Sequence, residues 1–147
     1  GQLLIGNSTG NTLTKNILTA GSGVTITNGS GAITIATSGV PITSAPVTKV
    51  ANFTVAATEV WIINNKSGST CTATLPAPAT NTGRVLYFQN YQDQFLVSAS
   101  SNVVPRAGGA ASTAILADEA GDTTTLVSDG TNWVVMQYTP NNVLLLE

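Results

Sequence analysis

Residues 21–36 read GSGVTITN and then GSGAITIA, and they limit what the chain can fold into more than any other stretch. Both halves open on Gly-Ser-Gly and continue into alternating β-branched residues, the period-two signature of strands. Apolar positions fall at Val24 and Ile26 in the first half and at Ile33 and Ile35 in the second, one residue out of phase. That change of phase predicts a hairpin. With residues 28–31 as a four-residue loop, Ile26 meets Ile33 and Val24 meets Ile35, while Thr25 opposes Thr34 on the other face. The loop NGSG supplies residues that tolerate positive φ.

One stripe of four side chains has nothing in its own hairpin to pack against, and a lone hairpin is marginal in water. The large apolar side chains of residues 1–40 are too few to offset the entropy of ordering that segment. The stripe Val24, Ile26, Ile33 and Ile35 therefore needs partners, and identical chains are the nearest ones.

The run GQLLIGNSTGNTLTKNILTAGSGVTITNGSGAITIATSG resembles the glycine-turn shaft repeats of bacteriophage tail fibres. It is also similar to the triple β-spiral of adenovirus and reovirus fibres. The resemblance implies short strands alternating with Gly-containing turns while three chains wind about one axis. It covers about the first quarter of the chain, and a long shaft needs many more such units. It implies a homotrimer joined to the rest of a virion fibre, on the extracellular surface of the virion.

At 147 residues there is room for one ordinary domain, or for a short extension and a compact domain. Only 8% of residues are charged, against roughly 25% in ordinary globular proteins. Thr, Ser, Asn, Gly and Ala supply the polar surface instead, which suits long-lived extracellular β-structures or reflects plain bias in an all-β domain. A net charge of −2 argues against nucleic acid, which requires a basic face. No apolar run reaches transmembrane length, so membrane insertion is not expected. The chain does not open on methionine and reads as a fragment of something longer, with Leu146-Glu147 as a possible cloning scar. Histidine is absent and Cys71 is the lone cysteine, so no internal disulfide can form and the commonest general base and metal ligand are missing. No cofactor is expected.

Residues 7–11 (NSTGN) form a turn cluster between two short apolar runs. The Asn-x-Ser/Thr matches at Asn7, Asn28, Asn52 and Asn65 read as chance in so Asn- and Thr-rich a chain. Residues 37–48 carry two prolines without periodicity and read as a linker, giving a shaft repeat at 1–40, a linker at 41–48 and a head at 49–147. In the head, strands are predicted at 51–56, 59–64, 70–75, 84–90, 94–99, 113–116, 123–128 and 132–138. Cys71, Ala73 and Leu75 share one face, which makes Cys71 a small core residue rather than a reactive thiol. In 59–64, Val60 and Ile62 face one way and Trp61 and Ile63 the other. A strand apolar on both faces is buried on both, inside a sandwich or against a neighbouring subunit. The final hairpin turns at Asp129-Gly130, with Leu126 on the face of Trp133 and Val135.

INNKSGSTCTATLP, GRVLYFQN and TTLVSDGTNWVVM resemble a small β-domain found at the ends of phage tail fibres and other virion spikes. The expected fold is all-β, a short triple-β-spiral-like shaft leading into a compact antiparallel sandwich or jelly-roll-like head. The expected function is attachment of the virion to a host-cell surface receptor, a glycan or a protein. The competing reading is a structural virion protein without a specific receptor.

Three constellations carry candidate chemistry. The acidic run Asp118, Glu119 and Asp122 offers oxygen ligands to a cation but lacks calcium-loop spacing, and a solvated turn explains it as well. Paired carboxylates also suggest glycoside cleavage, yet the chain is too short for the many-coiled β-helices of tailspike depolymerases, so no enzyme is expected. Tyr91, Gln92, Asp93 and Gln94 join amides and a carboxylate to an aromatic ring and could contact a sugar, or Tyr91 could pack over the hairpin end. Arg106, in a glycine-rich loop read as mobile, could clamp a carboxylated sugar or a phosphate, or stand as a solvated charge.

Overall fold

The computed structural model describes residues 2–7, 10, 12–21, 23–37 and 44–141. Gly1, the turn-cluster residues Ser8, Thr9 and Asn11, Ser22, residues 38–40, the first three residues of the expected linker (41–43) and residues 142–147 lie outside the described residues. The chain divides into two units, Gly1–Gly39 and Val40–Glu147.

The first unit is two antiparallel hairpins. Strand β1 (Leu3–Asn7) pairs with β2 (Thr12–Asn16), and β3 (Val24–Gly29) pairs with β4 (Ala32–Thr37). The second hairpin closes more tightly than the sequence suggests. Gly29 pairs with Ala32, so only Ser30 and Gly31 form the loop, and Gly31 at φ +74° adopts the conformation the reversal needs. Ile26 therefore opposes Ile35, not Ile33, and Val24 opposes Thr37, not Ile35. The slide is two residues, an even number, so Val24, Ile26, Ile33 and Ile35 still share one face. None of the described residues in this unit is buried, and Leu3, Leu4, Ile5, Leu13, Ile17, Val24 and Ile35 are exposed.

The second unit holds β5 (Val47–Lys49), β6 (Phe53–Thr54), β7 (Trp61–Asn64), β8 (Cys71–Thr74), β9 (Val85–Asn90), β10 (Leu96–Ser98), β11 (Val103–Val104), β12 (Ala114–Leu116), β13 (Thr123–Ser128) and β14 (Trp133–Thr139). Among the described residues the one helical element is a 3-10 turn, Pro78–Thr80. The protein is all-β, as its sequence predicts. One sheet has the order β11-β14-β13-β9-β7-β5 and the other β12-β10-β8-β6. From β5 to β13 the chain changes sheet at every connection.

That alternation corrects the expectation of an antiparallel head. A strand that leaves its sheet and returns one strand later comes back pointing the same way. Thus β5, β7 and β9 run parallel, and so do β6, β8 and β10, as a flattened coil. Antiparallel strand pairs form where the coil closes, at β9–β13, β13–β14 and β10–β12, beside an isolated antiparallel bridge of Val103 with Ser112. Strand β5 also begins inside the expected linker, at Val47, and β11 falls where no strand is predicted.

The core lies between the two sheets. Ile62, Leu86, Phe88, Leu126 and Trp133 come from one, and Cys71, Ala73, Leu96, Ile115 and Leu116 from the other. Trp133 is fully buried and donates its indole N–H to the Pro76 carbonyl at 2.9 Å. In the last hairpin Leu126 opposes Val135 and Ser128 opposes Trp133, so the predicted shared face is present. Cys71 is a core residue with 0% exposure, and burial pushes its thiol pKa up. Val60 and Ile62 are buried, but Trp61 is 43% exposed and Ile63 only half-buried. Contrary to the sandwich-interior expectation, the chain covers one face of this strand and leaves the other open.

Strand direction sets which loops meet. Because β7 and β9 are parallel and β13 opposes them, the ends of β7 and β9 and the start of β13 gather at one rim. The chain enters β5 at the opposite end, where the Ser44 hydroxyl donates to the Thr58 carbonyl at 3.0 Å.

Candidate functional site

The rim loop 90–95 is held by its own backbone and by its neighbours. The Asn90 amide donates to the carbonyls of Gln94, at 3.0 Å, and Ala117, at 2.6 Å. The Tyr91 N–H donates to the Asn64 carbonyl at 2.8 Å. These bonds fix the loop and leave the Tyr91 side chain 51% exposed. Gln92 donates to the Asn65 side-chain oxygen at 2.7 Å, and one Asp93 carboxylate oxygen accepts the Ala120 N–H at 2.9 Å. Of the four loop residues singled out in the sequence, Tyr91 and Asp93 are exposed and Gln92 and Gln94 half-buried, while the side chains of Gln92 and Asp93 tie the rim loops together.

Tyr91 borders a surface that the sequence does not single out as a site. Trp61 on β7 and Tyr87 on β9 are register partners, and their rings stack with centroids 4.1 Å apart and planes 11° apart. That separation is close to the spacing of neighbouring strands, so the rings stand up from the sheet side by side. A hollow of about 370 Å³ extends along β9 between this pair and Tyr91, bordered by Ile63, Gln89, Thr125 and Gln137. No charged side chain lines it. Such a surface can stack against a flat apolar face and exchange hydrogen bonds with hydroxyls. The sequence signal was the double-faced 59–64 strand, whose outer face needed a partner.

Arg106 lies elsewhere. It is exposed and borders a second hollow of about 400 Å³, with Phe95, Pro105, Leu116, Val135 and Tyr138. The structure therefore places Arg106 and Tyr91 on separate hollows.

The acidic run divides. Asp118 and Glu119 are exposed, as a solvated turn requires, but Asp122 is 1% exposed. Its carboxylate accepts the Tyr138 hydroxyl and the Asn141 N–H, the latter at 2.7 Å. Burial, together with the hydrogen bond to Asp122, pushes the Tyr138 pKa up to about 12. Asp122 is thus a clamp on the end of β14, because a buried carboxylate needs these donors. Among the described residues no group of three His, Cys, Asp or Glu side chains could hold a metal ion. No helix among them is long and apolar enough to cross a membrane.

Compared with protein-family models, curated proteins and solved structures, the chain matches none.

Proposed function

We propose that this chain is part of a trimeric virion fibre whose second unit attaches the particle to a host-cell surface glycan. The observation that supports it is the contrast between the two units. The second has a continuous core, whereas the first exposes seven large apolar side chains and buries none of its described residues. Hairpins of that kind gain their stability from other copies, wound together as a stem. A stem built by several chains repeats the second unit, so weak contacts to a glycan add through avidity. Tyr91 and its rim lie at the end of that unit opposite the point where the chain enters it.

A purely structural fibre protein is the second reading, favoured by Gln92 and Asp93 being engaged within the chain. Two measurements test the proposal. Sedimentation equilibrium of the full chain is expected to give a trimer across a wide concentration range, and a stable monomer refutes the fibre. Labelled chain is expected to bind susceptible bacterial cells saturably, and absence of binding to every susceptible strain leaves the structural reading.

A further inference from the structure

We infer that the outer face of the six-stranded sheet, from the Trp61–Tyr87 pair to Tyr91, binds an uncharged oligosaccharide. This rests on the attachment reading above and assigns the ligand class and the surface.

Three observations carry it. First, Trp61 is one of only two tryptophans, and it stands open on a strand next to a second upright ring. Sugar rings present flat C–H faces that pack against aromatic side chains, with much apolar area contributed by few residues. Secondly, polar groups lie beside the rings in a fixed register: Thr125 opposes Tyr87, and Thr123 opposes Gln89. Among the described residues the Gln89 amide and the Thr123 and Thr125 hydroxyls have no hydrogen-bond partner, and they can pair with sugar hydroxyls. An apolar surface of a second copy would strand those groups instead. Thirdly, the lining is neutral, so a phosphate or uronate would find no cation there, and Arg106 belongs to the other hollow. The volume of about 370 Å³ falls within the range of small-ligand clefts, about 300–1,000 Å³.

Tryptophan fluorescence reads this site directly. Trp133 is fully buried, so Trp61 reports on the surface. The full chain is titrated with a neutral hexose tetrasaccharide, a neutral N-acetylhexosamine tetrasaccharide and a uronic-acid tetrasaccharide. A saturable change is expected with at least one neutral sugar and none with the uronate. Thr125→Arg, which fills the hollow, and Gln89→Leu, which keeps its shape, are each expected to weaken binding about tenfold or more. If Thr125→Arg does not fold, Gln89→Leu decides.

Absence of a saturable change with both neutral sugars overturns the site. If the chain then still binds bacterial cells, the attachment reading stands without it; if it does not, both fall. A shift of Thr125→Arg or Gln89→Leu to smaller species in sedimentation identifies the face as a contact between copies and overturns the proposal.

Discussion

Asn64 donates its side-chain amide to the Asn90 side-chain oxygen at 2.9 Å, and neither residue reaches solvent. They are register partners in the last pair between β7 and β9, so the two strands end on a shared polar contact inside the core. Asn90 then gives its own amide to Gln94 and Ala117, joining three elements at the rim. Replacing it with alanine takes the partner from two carbonyls of half-buried residues and from the fully buried Asn64 amide. Asn90→Ala is expected to cost about 3 kcal/mol, seen as a lowered urea midpoint at unchanged slope. A loss below about 0.5 kcal/mol would mean that the pair carries no such weight.

Tyr91 and Asp93 are two residues apart but do different work. Tyr91 is half-exposed, whereas the Asp93 carboxylate holds the Ala120 N–H of the neighbouring loop. Tyr91→Ala is expected to change stability by less than about 0.5 kcal/mol, while Asp93→Ala costs about 1–2 kcal/mol. Thermal unfolding of the two variants checks this, and the reverse order would make Tyr91 the packing residue.

Acid stability follows from two carboxylates. Burial raises the Glu59 pKa, but the bond from Lys49 at 2.5 Å, the Ala56 N–H at 2.9 Å and the charges of Lys49 and Arg84 together hold it below its ordinary value. The N–H groups of Asn132 and Thr131 hold exposed Asp129 down in the same way. A carboxyl whose pKa is lower in the folded state contributes stability above its unfolded pKa and loses it as pH falls through the folded one. Stability is therefore expected to decline as pH drops below the ordinary carboxylate values. Glu59→Gln should flatten that decline; an unchanged acid limb in Glu59→Gln would exclude the contribution.

Alkaline stability turns on Tyr138, whose pKa is raised in the folded state to about 12 from an ordinary value of 10. The folded chain keeps the proton that the unfolded chain releases, so stability is full below pH 10 and falls between about pH 10 and 12. Tyr138→Phe is expected to remove both the late phenolate absorbance step and part of this slope. An unaltered phenolate titration in the variant would refute the assignment.

In the first unit, Ile26→Asp and Ile33→Asp each place a charge in the open stripe. Each is expected to shift the sedimentation equilibrium toward monomer while leaving the unfolding of the second unit unchanged. A stable trimer in both variants would show that the stripe is not shared between copies.

Single strands and their faces were legible in the sequence, because period-two alternation is a local signal. Leu126 with Trp133, Cys71 with Ala73, and the four-residue stripe all share the faces read for them. Pairing between distant strands was not legible. Nothing in residues 61–64 states that their neighbours are 87–90 in parallel, and β11 is too short to show a period. At the site, the exposed Tyr91 could be picked out by composition, but the internal bonds of Gln92 and Asp93 depend on loops far away in the chain. The Trp61–Tyr87 pair was hidden for the same reason, since each residue alone reads as ordinary strand core.

The alternation between sheets also has a consequence for how the molecule is made. Between β5 and β12 no strand pairs with the strand before or after it, and among the described residues the local contact there is a single antiparallel bridge, Val103 with Ser112. The local pair is β13–β14, almost the last part of the second unit to be synthesised. Closing many long loops before contacts reward them makes folding slow. The parallel pairs β7–β9 and β8–β10 each close across an intervening strand, and β13 and β14 join the sheet after them, so truncation before Trp133 should yield an aggregating polypeptide rather than a smaller domain.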